Sequence, residues 1–411
     1  MNYRKTIADA MTRVYRHGMT TISGGNISMV DSDNNVYISP SGVDKSGLKE
    51  EDIMKVYTDG TTEGIHKPSV ELPFHKGVYE KRPDIKVLVH AHPKDIVALS
   101  VSRVIPDLKL LPIYEQYFNN IGIAKYALPG SQALGNEISK TFEAGNDIVI
   151  LENHGVVIGA QTMDRALGLI EALEDIAKIS IFERLFKQKL QSNKKLLDVK
   201  ASYKINEEIK LDYHKERLEI ISIIKRLYDQ HMMNGLFGEI SVRLDENKFL
   251  ITPNYKDRLK IQAEDLIVVE NDEVTGQPDK YYQLHQKIYE INPEINALIF
   301  STPPNSMVFS AHETPINTNI IPEGFILLRK IETYEIDQIS ELIHTLGRQL
   351  PVAHLQSNFY ISCGKNLLQA YDRVEVLEFG AASILSSMLM EKVHVISDEE
   401  IEKINKEFSN W

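Results

Sequence analysis

Residues 75–85 read HKGVYEKRPDI and residues 285–295 read HQKIYEINPEI, a gap-free match at an offset of 210. The apolar triplets that follow, Val87-Leu88-Val89 and Ala297-Leu298-Ile299, hold that register up to Pro93 and Pro303. Upstream, residues 24–43 (GGNISMVDSDNNVYISPSGV) correspond to residues 237–256 (FGEISVRLDENKFLITPNYK) at an offset of 213. Each carries Ile-Ser, a polar turn, an alternating strand and then Ser/Thr-Pro. Downstream, residues 164–179 and 368–383 align at an offset of 204, sharing Ala166/Ala370, Glu171/Glu375, Glu174/Glu378 and Ala177/Ala381. Constant order with a small drift in offset marks two copies of one unit of roughly 190 residues.

Within the first copy, apolar Ile7, Ala10, Met11, Val14 and Tyr15 recur at helical spacing, so residues 2–17 form a helix that Gly18 stops. Residues 26–30 and 35–39 read as a hairpin, and 53–57, 85–91, 147–151 and 156–158 as further strands. Helices are expected at 70–81, 94–102, 131–144 and 166–186. Helices interspersed with a hairpin-connected sheet imply a layered α/β unit. The expected fold is two tandem three-layer α/β/α domains, each with a largely antiparallel, mixed central sheet. Their limits are set at 1–190 and 213–395, with a polar linker at 191–212 and a C-terminal tail at 396–411. The tract 187–210, rich in Lys, Gln, Asn and Ser, reads as the solvated end of a long helix passing into that linker.

The 411 residues alone suit two or three domains, and 43% hydrophobic with 25% charged residues is ordinary for a globular chain. One cysteine, Cys363, excludes a disulfide framework and Cys-rich zinc modules. The densest apolar run, residues 155–160, is far shorter than the ~18–20 residues of a membrane span. The opening MNYRK leads into a polar helix, so neither secretory signal nor membrane is expected, and a cytoplasmic setting is. A net charge of −12 argues against nucleic acid as a partner, because phosphate backbones require a basic stripe. A small anionic substrate stays compatible, and 13 histidines supply the ligands or catalysts.

His90-Ala91-His92 ends an apolar strand, where residues i and i+2 share a face and both imidazoles can reach one ion. Alone, this spacing also describes two packed or solvent-facing histidines. His154, at the end of another strand, adds a third neutral ligand and leaves open positions, as catalytic zinc sites do. Glu71, at the start of a helix, reads as a fourth ligand, as a base beside a carbonyl, or as a plain helix cap. Three turns rich in Gly, Ser and Asn (Ser23-Gly24-Gly25-Asn26, Ser39-Pro40-Ser41-Gly42 and Pro68-Ser69) can each cradle a phosphate or be ordinary turns.

The second copy provides an internal control. It has Phe300 for His90, Thr302 for His92, Asn358 for His154, Tyr281 for Glu71 and Glu239 for Asn26. His75 and Tyr79, by contrast, recur as His285 and Tyr289. Residues kept by the copy without ligands are structural, so His75 is read as a packed histidine. His17 and His66 are assigned to surface or helix-end roles.

At these residues the sequence resembles the class II aldolase/adducin family. The motifs are Gly-Asn-Ile-Ser at 25–28, Ser-Pro-Ser-Gly at 39–42, Lys-Pro-Ser-x-Glu at 67–71, His-x-His-Pro at 90–93 and Asn-His-Gly at 153–155. The likeness is strong over residues 3–186 and weaker over 214–391. It implies that His90, His92 and His154 bind zinc, with manganese or cobalt as substitutes. It also implies that Asn26, Ser41-Gly42 and Ser69 hold a substrate phosphate, with Ser23 and Gly25 beside it, and that Glu71 is the base. A tyrosine from a neighbouring subunit gives its proton to the aldehyde oxygen, and Tyr114 matches it. Val70 stands where fuculose-phosphate aldolases carry a second serine, so one phosphate hydrogen bond is missing.

The reading is a zinc-dependent aldolase, a carbon–carbon lyase that cleaves a ketose phosphate or related small hydroxy-carbonyl compound through an enediolate. The same site would serve a 4-epimerase, dehydratase or decarboxylase. A non-catalytic, adducin-like scaffold is the rival from another class. The expected partner is a small sugar phosphate, and the expected assembly is a homo-oligomer with its active site at a domain or subunit interface.

Overall fold

The structure is a computed structural model that describes residues 2–186, 196–197, 199, 202–206, 212–254, 256–312, 314–347, 349–390 and 393–408. Most of the 187–210 tract and of the 191–212 linker, with the last three residues of the tail, lies outside the described residues. The chain forms two compact units. Met1–Leu108 with Gln116–Ile181 make one; Lys109–Glu115 with Phe182–Trp411 make the other.

The first unit is built on an 8-stranded sheet. Its spatial order is Thr62–Glu63, Met54–Val56, Val36–Ile38, Asn26–Val30, Val87–Ala91, Gly155–Ala160, Asn146–Leu151 and Asn120–Ala124. Every neighbouring pair is antiparallel except the last, Asn120–Ala124 with Asn146–Leu151. Side chains alternate across the pleat. Val36, Ile38, Leu88, Val149, Leu151 and Val157 pack with Phe74, Val78, Leu134, Ile138 and Phe142 from the helices Leu72–Lys81 and Gln132–Glu143. On the opposite face, helices Tyr3–Arg16 and Lys94–Ser102 meet the strands. A sheet between two helical layers buries both of its faces, which explains why the central strands are apolar throughout.

Local signals place most of these elements. Asn2 caps the first helix by accepting a hydrogen bond from Lys5 N, and Gly18 follows its end at φ +65°. The helix expected at 70–81 begins two residues later, with Pro73 in its first turn and Glu71 at the cap position. The edge strand Asn120–Ala124 and the short helix Pro112–Glu115 were not anticipated. Only Ala124 of that strand is buried, so it lacks the alternation that would identify it.

The second unit repeats the order around a 9-stranded sheet, whose extra strand is the edge pair Lys204–Ile205 beside Glu273–Val274. The register repeats residue for residue. Asn26 faces His90 and Glu239 faces Phe300; His90 faces Val157 and Phe300 faces Ile361. Glu174 accepts the amides of Asp95 and Ile96, as Glu378 accepts those of Asn305 and Ser306.

Candidate metal centre

His90 occupies the centre of the first unit's sheet, on a strand buried along its whole length. Its Nδ1 lies 3.0 Å from the Val156 carbonyl, which can only accept, so Nδ1 carries the proton and Nε2 is left as a ligand. His92 follows the strand end, and its Nε2 is 3.2 Å from His90 Nε2. His154 enters from the hairpin between Asn146–Leu151 and Gly155–Ala160, turned by Asn153 at φ 56°. The His154 ring centroid is 4.9 Å from that of His90 and 5.0 Å from that of His92. The ligand atoms of the three lie within 4.8 Å of one another, the one such cluster among the described residues.

Two glycines make this approach possible. A side chain on Gly25, at φ +67°, would put its Cβ 2.7 Å from the His90 carbonyl. One on Gly155 would meet the Ala91 carbonyl at 2.5 Å and His92 Cδ2 at 2.6 Å. Both positions admit only hydrogen.

The electrostatics suit a cation. Burial drags the pKa of His90 down to about 3, with the neighbouring His154 adding to the effect. Burial, then His90 and His154, brings His92 to about 3 as well, and burial lowers His154. At neutral pH all three are therefore neutral imidazoles, the form that ligates metal. Two nitrogens at the ~2.0–2.1 Å reach of a tetrahedral zinc lie roughly 3.3 Å apart, which matches the 3.2 Å contact between His90 and His92. A three-nitrogen donor set beside a carboxylate fits zinc and, more loosely, other divalent first-row ions.

Glu71 supplies the carboxylate. Its Oε2 lies 3.3 Å from His90 Nε2 and accepts a 2.7 Å hydrogen bond from Asn26 Nδ2. Its Oε1 is buried with no hydrogen-bond partner. Although Glu71 sits at the cap position, its side chain makes no capping bond, so the plain cap reading fails on geometry. A buried carboxylate oxygen without a donor is costly unless a cation or a substrate proton meets it.

What orients Glu71 is a buried line of hydrogen bonds. Tyr79 Oη lies 2.7 Å from Ser28 Oγ, and Ser28 Oγ lies 2.6 Å from His75 Nδ1. His75 Nε2 then meets the Asn26 side-chain Oδ1, and the Asn26 Nδ2 holds Glu71. Because the Asn26 oxygen only accepts, His75 Nε2 donates and His75 Nδ1 accepts from Ser28. The packed-histidine reading of His75 holds, yet packing also positions the site. The second copy keeps Ser241, His285 and Tyr289 in the same contacts, so its retention pattern masked the role of Ser28, His75 and Tyr79.

The turns gather beside this centre. Pro40 and Pro68 pair as an isolated bridge, Ser69 N donates to Ser39 O, and Ser41 N donates to Lys67 O. Ser69 is buried and its Oγ accepts from Glu71 N, whereas Gly42, at φ +68°, is exposed and faces open space. Ser23 is exposed on the loop that leads to Gly25 and Asn26. The Asn26 side chain is spent on Glu71 and His75, so it serves the carboxylate first. Tyr114 lies on the short helix Pro112–Glu115. Its segment clusters with the second unit, where its fully buried hydroxyl lies 2.6 Å from Thr302 Oγ1 and accepts from Asn234 Nδ2 at 2.5 Å.

In the second unit the corresponding positions are filled by the chain itself. Phe300 stacks on His285 and Phe359, with centroids 3.8 and 4.9 Å apart. Asn358 Oδ1 accepts from Leu197 N, and Tyr281 Oη donates to Leu197 O.

Both copies are similar to known proteins. The family described as Class II Aldolase and Adducin N-terminal domain matches residues 5–181 and again 218–385. An L-fuculose phosphate aldolase of Methanocaldococcus jannaschii is 32% identical over 187 residues, 45% of this chain and 99% of that protein. A 3-oxo-tetronate 4-phosphate decarboxylase of Escherichia coli is 28% identical over 183 residues, 43% of this chain and 86% of that one. A 5-methylthioribulose-1-phosphate/5-deoxyribulose-1-phosphate aldolase of Rhodospirillum rubrum is 30% identical over 176 residues, 43% and 78% respectively.

Proposed function

The chain belongs to the class II aldolase and adducin family, and from that premise we propose that its first domain, residues 1–190, is a divalent-metal-dependent aldolase. Its substrate is a ketose phosphate or a related small hydroxy-carbonyl compound. The observation that carries this reading is the convergence of three neutral imidazoles on one point beside a buried carboxylate oxygen that has no donor.

His90, His92 and His154 hold the cation, with zinc the natural match to three nitrogens and manganese or cobalt as substitutes. When bound, the ion supplies Lewis-acid polarisation of the substrate carbonyl and its neighbouring hydroxyl. Glu71 moves a proton to or from the carbon beside the carbonyl. Asn26, fixed by His75, Ser28 and Tyr79, keeps the Glu71 Oε2 in place and leaves the Glu71 Oε1 to act. Ser23, Gly25, Ser41, Gly42 and Ser69 receive the phosphate from the side of the turns. Tyr114, whose hydroxyl is engaged inside the second unit, is given no step.

The second domain, residues 213–395, is non-catalytic in this reading, because each ligand position holds a different residue and the chain's own groups fill it. A homo-oligomer completes the proposal; exposed Ile22 and Val70, which flank the turns at Ser23–Asn26 and Pro68-Ser69, give the first unit apolar surface for an interface.

The sharpest alternative is the same metal chemistry applied to decarboxylation, which one relative's name carries. Metal analysis of the purified protein, with wild type and His92→Ala assayed against ketose 1-phosphates, ketose 5-phosphates and phosphorylated sugar acids, tests both. Two carbon fragments support the aldolase and CO₂ supports the decarboxylase. No bound divalent ion, together with activity unaffected by His92→Ala, would sink the metal reading.

A further inference from the structure

The two units hold two versions of one pocket, and the second shows what the first lacks. At offset 213 from Lys45 stands Arg258, and at offset 210 from Ser69 stands Asp279. In the second unit the Arg258 guanidinium donates to the Pro253 carbonyl at 2.8 Å and to Asp279 Oδ2 at 2.7 Å, with both side chains buried. In the first unit the Lys45 ammonium donates to the Pro40 carbonyl at 2.5 Å, the equivalent anchor. The backbone around the two cations is the same. Pro40 bridges Pro68 as Pro253 bridges Pro278, and Lys45 N donates to Ile22 O as Arg258 N donates to Gly235 O. The neutralising carboxylate, however, is replaced by Ser69.

Lys45 is thus a cation only 2% exposed, tied to a single backbone carbonyl, with no ion pair among the described residues. Burial alone brings its pKa down to about 8, with no carboxylate to counter it. A buried, unpaired ammonium works against folding, so its presence calls for a partner that the folded chain does not itself provide. Lys45 is held between the Ile22–Gly25 loop, through its N–H on Ile22 O, and the Ser39–Gly42 turn, through its ammonium on Pro40 O, and Ser69 stands at the position of the carboxylate that its counterpart Arg258 pairs with. Val70, beside it, offers no hydrogen bond.

The geometry points to Lys45 as the cationic contact of an oxyanion subsite, in which a ligand phosphoryl group takes the place that the Asp279 carboxylate holds in the second unit. Ser69 and Ser41 hydroxyls and the open turn at Gly42 complete the cradle, and Lys45 supplies the charge-assisted hydrogen bond that Val70 cannot. The assignment rests on the reading that the first unit takes a phosphorylated substrate. It adds to that reading the residue that would discriminate a dianionic phosphoryl group from a neutral hydroxyl.

The experiment is titration of inorganic phosphate into the full-length, zinc-loaded protein by calorimetry, for wild type, Lys45→Met, Lys45→Arg and Ser69→Asp. Lys45→Met should weaken phosphate binding at least about tenfold with zinc content unchanged, and Lys45→Arg should restore most of it. Ser69→Asp should abolish phosphate binding and raise the Tm, because it gives the cation the internal partner that Arg258 has. Phosphate binding by Lys45→Met within about twofold of wild type overturns the proposal, as does unaltered binding by Ser69→Asp should Lys45→Met fail to fold. Absence of phosphate binding to the wild type also overturns it. Lys45-dependent phosphate binding in a protein that cleaves no sugar phosphate would leave Lys45 in place and remove the lyase. Cleavage with an unchanged KM in Lys45→Met would do the reverse.

Discussion

Asn26 and His90 face each other across neighbouring antiparallel strands, and the same register in the second unit sets Glu239 opposite Phe300. That one cross-strand pair joins the carboxylate-positioning amide to an imidazole of the three-histidine cluster. Where the histidine is gone, the amide is gone too. In its place Glu239 lies 3.4 Å from His285, with its pKa pushed well above the carboxylate range by burial and then by Asp279.

If Glu71 moves the proton, Glu71→Gln keeps the shape and the contact with Asn26 but loses the base. kcat should fall by roughly 10²–10⁴ while zinc content stays at the wild-type level. Steady-state kinetics paired with metal analysis reads both. Loss of zinc alongside activity would make Glu71 a fourth ligand instead.

Gly25→Ala puts a methyl group 2.7 Å from the His90 carbonyl at a φ of +67°. Strain there should cost about 2–4 kcal/mol and displace the strand that carries His90. The expected result is a lower Tm with zinc affinity reduced in parallel. A fully metallated variant of unchanged Tm would show that the loop can yield without disturbing the ligands.

Tyr114→Phe separates two roles. Removing the hydroxyl leaves Thr302 and Asn234 in the second unit without that partner, for an expected loss of about 1–3 kcal/mol. kcat should stay within a few-fold of wild type. A hundredfold fall in kcat at unchanged urea midpoint would return Tyr114 to the chemistry.

Acid should destabilise the metal-free protein. Burial takes His285 to about 3, and His90 and His92 to the same value, against about 6.5 in an unfolded chain. Their folded pKa values are depressed, so the stabilisation is fully present above pH 6.5 and is lost as pH falls towards 3, where the unfolded chain binds protons that the folded one refuses. Urea midpoints between pH 7.5 and 4.5 should drop steeply. Zinc should steepen the trend, since protons and metal compete for His90 and His92. A flat profile in the metal-free protein would contradict the burial of these rings.

The duplication, the α/β class, the position of most helices and strands, and the loss of the histidine trio from the second copy were legible in the residue order. Periodicity and turn chemistry act over a few residues, and the repeat doubles every observation. The histidine trio was legible too, since two of its members are fixed by strand geometry and the third by a strand end. Asn120–Ala124 was not, because an exposed edge strand leaves little hydrophobic pattern.

The sequence by itself thus determined two copies of one layered unit and the three histidines that only the first carries. Tertiary structure alone decided how those groups are used. It ties Tyr79, Ser28, His75 and Asn26 into the support of Glu71 and puts the Tyr114 hydroxyl against Thr302 and Asn234. It also leaves the Lys45 ammonium without the carboxylate that neutralises Arg258. The reason is physical. Backbone preferences are local and survive in any window of sequence, whereas a polar side chain's partner is chosen by which distant segment folds against it.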